Sequence, residues 1–342
     1  MKHASWLMLS ALAIAACSAG NNAGNTHSNG TGGAGNVAGS GNGSAGTGAP
    51  SAGGPPTLSL SCTQPELGKP VLRLLNRAQF SQTIDDIFPQ VVNTWGSTLP
   101  ADPVSSFGFD NDAATVVGPQ LAQAFLDTAS AVADSVTGTA FATILPCSAA
   151  AADRACAEQY LTQYGRRFFR RPITSAEHDR YLTFFDSALA KSNFKSAIKW
   201  LTVGLIQSPN AVYRSEIGTV ANGTRQLDAH ELATELAYTY TNSTPSEALL
   251  TQADSGTPLD TTALAKNLLG TAAGKATLRT FFESYLDFPR VASIDRAGVA
   301  QWSTVRGAMV QETRSFIDQI VLQNGGGLKE LLTSPTSNPS QS

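Results

Sequence analysis

Histidine and glutamate stand together in His230-Glu231-Leu232-Ala233-Thr234, which is how a zinc-hydrolase helix begins. That chemistry needs a second imidazole four residues on, because one helical turn brings i and i+4 to the same face and the metal needs both. Thr234 holds that position, so the second ligand is missing. His178 is the other histidine in residues 57–342, and it falls in a different expected helix. That region carries no Cys-x-x-Cys-His for covalent haem, no Gly-x-Ser-x-Gly elbow and no phosphate loop. No cofactor and no metal are evident.

Carboxylates offer the next candidates. Alternate oxygens in Asp110-Asn111-Asp112 could bind calcium, but the remaining positions of a calcium loop are lacking. A turn in which Asp and Asn bond their own backbone accounts for them as well, and is the favoured reading. Glu216, two residues after Arg214, could serve as a catalytic acid or form a structural ion pair, and the pair is favoured. Arg170 and Arg171 sit in Gly165-Arg166-Arg167-Phe168-Phe169-Arg170-Arg171-Pro172, which could meet a phosphate or an anionic sugar. The favoured alternative places the phenylalanines in the core, with the arginines capping a helix C-terminus and pairing with carboxylates.

The N-terminal sequence says how such a protein would be positioned. Trp6–Ala16 is an apolar run of eleven residues behind Lys2 and His3, too short for the roughly 20 residues of a membrane-spanning helix. It ends in Ile14-Ala15-Ala16-Cys17, the pattern of a bacterial lipobox, in which Cys17 takes the lipid and becomes the mature N-terminus. Ser18, rather than Asp, favours the outer membrane. Residues 18–56 are nearly all Gly, Asn, Ser, Ala and Thr, too polar to offset the entropy of ordering. As a flexible coil this tether spans about 35 Å. Two Gly-x-Gly-x-x-Gly matches fall inside it, at Gly30–Gly35 and Gly41–Gly46, but neither follows a strand nor opens a helix, so both are linker.

The remaining chain is long enough for one or two cores. With 23 basic and 26 acidic residues, the balance gives no electrostatic reason to expect a nucleic-acid partner. Cys147 and Cys156 lie nine apart after Pro146, and an oxidising compartment would permit a disulfide between them; two buried thiols are the alternative. Cys62 is left over, either free or paired outside this chain.

Helical signals dominate. Asn76 with Gln79, Thr174 with Glu177, Asp228 with Glu231 and Thr244 with Glu247 read as capping boxes, with Pro245 at the first helical position of the last. Gly118-Pro119 precedes a periodic stretch with Leu121, Phe125, Val132 and Val136 on one face. Further helical patterns run over 153–169, 194–207, 262–269, 275–286 and 298–323, the last stopped by Gly325-Gly326-Gly327. No run alternates with period two. The expected fold is all-α, as bundle-like helical modules behind a disordered tether. Its parts are a signal peptide over 1–16, the lipidated cysteine and linker over 17–56, modules over 57–140, 141–220 and 221–334, and a polar tail over 335–342.

Several motifs carry a family resemblance. Leu72–Phe80, with Thr83, Asp86 and Ile87, resembles the opening module of the planctomycete-specific domain family, large exported proteins of planctomycetes and myxobacteria. Phe107-Gly108-Phe109-Asp110-Asn111 resembles the end of that module. Cys156–Pro172, followed by Gln207-Ser208-Pro209-Asn210 and Tyr213-Arg214-Ser215-Glu216, is similar to the second. Leu227–Ala233 and Ser243–Leu250 resemble the start of the third. The likeness covers about residues 70–334. It supplies no catalytic residues, because the family has none established. It implies further modules beyond Ser334, where this chain turns to Pro335 and a polar tail and so reads as truncated. Some relatives carry a c-type cytochrome, which implies a redox setting that this chain could share only through a partner.

The reading that follows is an envelope-anchored module that binds a protein or polysaccharide partner. The alternatives are a component of an extracytoplasmic redox or degradative system, a hydrolase using Asp110, Asp112 or Glu216, and a decaying copy without function.

Overall fold

Asn76 and Gln79 start the first helix as the capping box predicts. In the computed structural model, which describes residues 69–104, 108–110, 116–148 and 152–335, the Asn76 side chain accepts from the Gln79 amide at 2.8 Å, and Gln79 Oε1 accepts from the Asn76 amide at 3.4 Å. The helix they cap, α1 (Arg77–Ile87), buries Phe80, Thr83, Ile84 and Ile87. The signal peptide, Cys17, the linker, Cys62, Asn111 and Asp112 lie outside the described residues, as does the tail from residue 336.

Pro119 opens α2 (Pro119–Val136), where its missing N–H leaves no helical bond unmade. This helix turns Phe125, Val132 and Val136 inward. A single turn, α3 (Phe141–Ile144), leads to the disulfide Cys147–Cys156, which ties the approaching loop to the first turn of α4 (Arg154–Phe169). The Cys147–Cys156 bridge closes a loop short enough to add about 2.7 kcal/mol by restricting the unfolded chain. Reduction is therefore expected to lower the urea midpoint by a corresponding amount, and an unchanged midpoint would show that the bridge constrains nothing the fold does not already hold.

The second capping box, Thr174 with Glu177, opens α5 (Ser175–Leu189). α6 (Phe194–Ile206) buries residues around most of its circumference, Ile198, Leu201, Thr202 and Ile206 among them, so it becomes the central helix. α5 and α2 pack on it, and Tyr160 of α4 meets its Thr202 hydroxyl at 2.8 Å. One core cluster runs from Leu74 through Val212 and takes in Tyr238, so residues of the first two expected modules share it.

The fold is all-α, with two small sheets that the sequence reading passes over. β1 (Val71–Leu74) pairs antiparallel with β2 (Tyr213–Glu216), which follows directly on the one-turn helix α7 (Pro209–Val212). Four residues are too few to display a period of two, and the partners are far apart in sequence. β3 (Thr219–Ala221) and β4 (Thr224–Gln226) form a hairpin around Asn222-Gly223. Both turn residues have positive φ, 52° and 74°, the conformation that favours Asn-Gly in a two-residue hairpin.

The third box, Asp228 with Glu231, caps α8 (Ala229–Thr241). The fourth is corrected: α9 (Glu247–Asp254) is capped by Ser246, whose hydroxyl accepts from the Leu249 amide, so Pro245 precedes the cap. Thr244 is unavailable because it is buried and its hydroxyl donates to the Arg167 carbonyl at 3.1 Å. A second, small cluster of Ala233, Ala237, Leu249 and Ala253 joins α8 to α9.

Beyond it come α10 (Thr261–Gly270), α11 (Ala272–Leu286), a 3₁₀ segment at Phe288–Ser293, α12 (Trp302–Ile317) with a π-helical continuation to Gln323, and α13 (Leu328–Thr333). Gly325, at φ 66°, follows the π turn as expected of the glycine run. These helices bury few side chains and leave Phe281, Tyr285, Val305, Met309 and Leu332 exposed. Among the described residues no helix is long and apolar enough to cross a membrane.

Candidate functional site

Arg170 ends α4 in the left-handed conformation, φ 57° and ψ 23°. That turn points its side chain inward, where it is 3 % exposed. Nη1 donates to the Ala211 carbonyl at 3.1 Å and to Tyr238 Oη at 3.2 Å, while Nη2 donates to the carbonyls of Asn210, at 2.6 Å, and of Tyr213. A one-turn helix has orphan carbonyls at its end, and the planar fork of Arg170 takes up those of α7. The arginine thus caps a helix C-terminus as the sequence reading favoured, though the helix is α7 and not its own.

Arg171 pairs with Glu177 through two bonds of 2.9 and 2.8 Å. Glu177 also accepts from the Asn210 side chain at 2.9 Å and from the Thr174 amide at 2.9 Å. The Arg171 guanidinium outweighs burial and holds the Glu177 carboxyl down to about 2. The capping glutamate of α5 therefore fastens both the end of α4 and the start of α7. Arg166 reaches Glu247 and Asp254 on α9 at 2.8 and 2.6 Å, and Phe168 and Phe169 are core.

Glu216 lies in an ion cluster. Its Oε1 is 2.7 Å from Arg73 Nε and 3.7 Å from Arg214 Nε, and Arg214 Nη1 is 3.4 Å from Glu235. Burial opposes ionisation of Glu216, but Arg73 and Arg214 outweigh it and lower its pKa. Glu235 moves the other way, raised by its burial. A carboxylate held ionised by two guanidiniums is poorly suited to giving up a proton. Asp110 is exposed and accepts from Asn76 Nδ2 at 3.1 Å, which ties the loop to the cap of α1. Among the described residues no His, Cys, Asp and Glu group of three or more is gathered as for a metal.

Next to Arg170 and Arg171 opens a cleft of about 200 Å³. Leu72 of β1, Phe169 and Pro209 supply apolar walls, and Asn210, Tyr213, Ser215, Asp228, His230, Glu231 and Thr234 supply polar ones. Glu231 is committed to structure: it accepts from Ser215 Oγ at 2.6 Å and from the amides of Ile217, Gly218 and Asp228 at 3.0, 3.0 and 3.2 Å. It ties the end of β2 and the link into β3 to the start of α8, so Glu231→Ala is expected to lower stability by about 2–3 kcal/mol. A melting temperature unchanged by that substitution would sink this role. His230 meets Asp254 Oδ1 at 2.8 Å, and Thr234, at the position a zinc motif would give to histidine, is 4 % exposed and lines the cleft.

Arg170, Arg171 and Glu216 stand out in the sequence as site candidates, whereas Glu177 is legible there only as a cap, Thr234 only as the residue in place of a zinc ligand, Asn210 and Ser215 only within family motifs, and Tyr238 not at all. Glu177 and Glu231 carried a signal as capping residues, yet a capping box does not tell what else the carboxylate binds. Tyr238 carried none: its hydroxyl meets Thr83 at 2.8 Å, a partner 155 residues away.

This is an all-α protein whose polar interior gathers around the junction of α4, α7, β2 and α8. Family models identify it further: residues 73–138, 156–216 and 227–341 match those described as PSD3 (DUF1587), PSD5 (DUF1595) and PSD4 (DUF1592), each a protein of unknown function. The chain belongs to the planctomycete-specific domain family. No curated protein and no solved structure matches it.

Proposed function

We propose that this protein is an exported module, held at the envelope by lipid on Cys17, that binds a partner on the outside of the membrane through the cleft between α4, α7 and α8. The observation that carries the reading is convergence. Segments from two matched regions meet there, against a strand residue that immediately precedes the other: Phe169 to Ser215 belong to the second, Asp228 to Thr234 to the third, and Leu72 stands just ahead of the first. Glu177 and Glu231, which set its walls, are fully engaged with backbone amides and polar side chains. Rigid walls with engaged charges suit binding better than proton transfer.

Hydrogen exchange tests the reading. Full-length protein is incubated with solubilised envelope protein and with extracellular polymer, as separate fractions. Slowed exchange is expected at residues 209–216 and 228–234 with one of the two. Protection confined to other segments, or none with either fraction, would remove the cleft from consideration. The anchor has its own check: Cys17→Ser is expected to move the protein from the detergent phase to the aqueous phase, and continued partition into detergent would refute lipidation at that residue.

A further inference from the structure

Resting on that reading of the cleft, we infer that its ligand is a single uncharged sugar ring, presented as the end or a side unit of an extracellular polysaccharide. Size comes first. At about 200 Å³ the cleft falls below the roughly 300–1,000 Å³ of pockets that enclose drug-sized molecules, and it suits one small ring.

Charge comes second. The lining holds the guanidiniums of Arg170 and Arg171 and the carboxylates of Asp228 and Glu231, which cancel. Arg170 is turned to backbone carbonyls and Arg171 to Glu177, so neither offers an open fork to a phosphate or a sugar acid. An anion would also meet Asp228 and Glu231. A cation would meet Arg171. An uncharged ligand encounters neither penalty.

Hydrogen-bonding capacity comes third. Thr234, Tyr213, Asn210, His230 and Asp228 line the cleft, and the Thr234 and Tyr213 hydroxyls, Asn210 Oδ1, His230 Nδ1 and the second oxygen of Asp228 have no hydrogen-bond partner among the described residues. Thr234 is the telling one: the residue is 4 % exposed and lines the cleft, yet its unpaired hydroxyl is not among the fully enclosed polar atoms, so its remaining exposure is open for a ligand to bond. Mixed donors and acceptors, set against the apolar surfaces of Leu72, Phe169 and Pro209, match a ring with hydroxyls at its rim and C–H groups on its face.

The test is titration calorimetry of the full chain with neutral disaccharides of glucose, galactose, mannose and xylose, beside glucuronic acid and glucose 6-phosphate. Thr234→Val and Tyr213→Phe are measured in parallel. At least one neutral disaccharide is expected to bind, and each variant to weaken it roughly three- to tenfold while melting with the parent protein. Preference for the charged sugars, or affinity for neutral ones that both variants leave unchanged, overturns the inference. If charged sugars bind and the variants weaken them, the cleft remains a binding site and only its ligand class is wrong. If no sugar of either kind binds, the sugar inference falls, and the hydrogen-exchange result alone then decides whether the cleft binds anything.

Discussion

Replacing Arg170 with methionine is expected to lower stability by about 4 kcal/mol, a large share of the roughly 5–15 kcal/mol available to a domain. The side chain is buried and engages three carbonyls and the Tyr238 hydroxyl. Methionine fills much of the volume but donates nothing, and each carbonyl left without a partner costs about 1–3 kcal/mol. Lysine is expected to recover part of the loss, since an ammonium can satisfy one or two carbonyls but cannot span the fork. Glycine separates two contributions. The backbone at φ 57° strains any residue with a Cβ by roughly 1 kcal/mol or more, so Arg170→Gly loses the guanidinium but relieves the turn. That relief is smaller than the cost of the cavity glycine leaves at this buried site, so the order expected in urea is wild type, lysine, methionine, glycine. A methionine variant within about 1 kcal/mol of wild type would show that water replaces the guanidinium at the end of α7.

The parts of this molecule that were legible in its sequence are those governed by neighbours in the chain. Capping boxes at Asn76, Thr174 and Asp228 are three-residue patterns, and all three form. The Cys147–Cys156 bridge is likewise local, with Cα atoms 5.6 Å apart across a nine-residue separation. The Thr244 box failed through competition: Ser246 offers an equivalent hydroxyl two residues later, and tertiary contact with Arg167 claims Thr244 first.

The candidate site was barely legible, because its bonds cross long separations. Arg73 finds Glu216 at 143 residues and Thr83 finds Tyr238 at 155. Pairing β1 with β2 is what brings Leu72 against Ser215 in register and so gives the cleft its first wall. Arg170 could be read as a helix-capping arginine, but the carbonyls it serves belong to a four-residue helix that no periodicity reveals. The basic, aromatic stretch around it suggested an anion site. Geometry turns each of its charges toward the protein's own oxygens, which is why the cleft beside it is electrically balanced.

That balance depends on Glu177, and acid is expected to undo it. The Glu177 carboxyl ionises at about 2 in the folded chain against an ordinary 4.5. A depressed pKa contributes stability that is complete above the ordinary value and disappears as pH falls from 4.5 towards 2. The full span corresponds to on the order of 3 kcal/mol, trimmed because the outer side of Arg171 is open to water. Asp254 complicates the raw titration: burial opposes its ionisation, yet bonds from His230 and Arg166 hold it low as well. The difference between wild type and Glu177→Gln isolates the contribution of Glu177. At about pH 7 the variant is expected to be less stable by about 2–3 kcal/mol, and near pH 2 the two should converge. A gap that stays constant across that range would mean that the charge of Glu177 does not hold α4 to α7, and that shape alone positions Asn210. If the gap closes as expected, ligand affinity should fall over the same interval, because Asn210 and Arg171 both line the cleft and both are held by that one carboxylate.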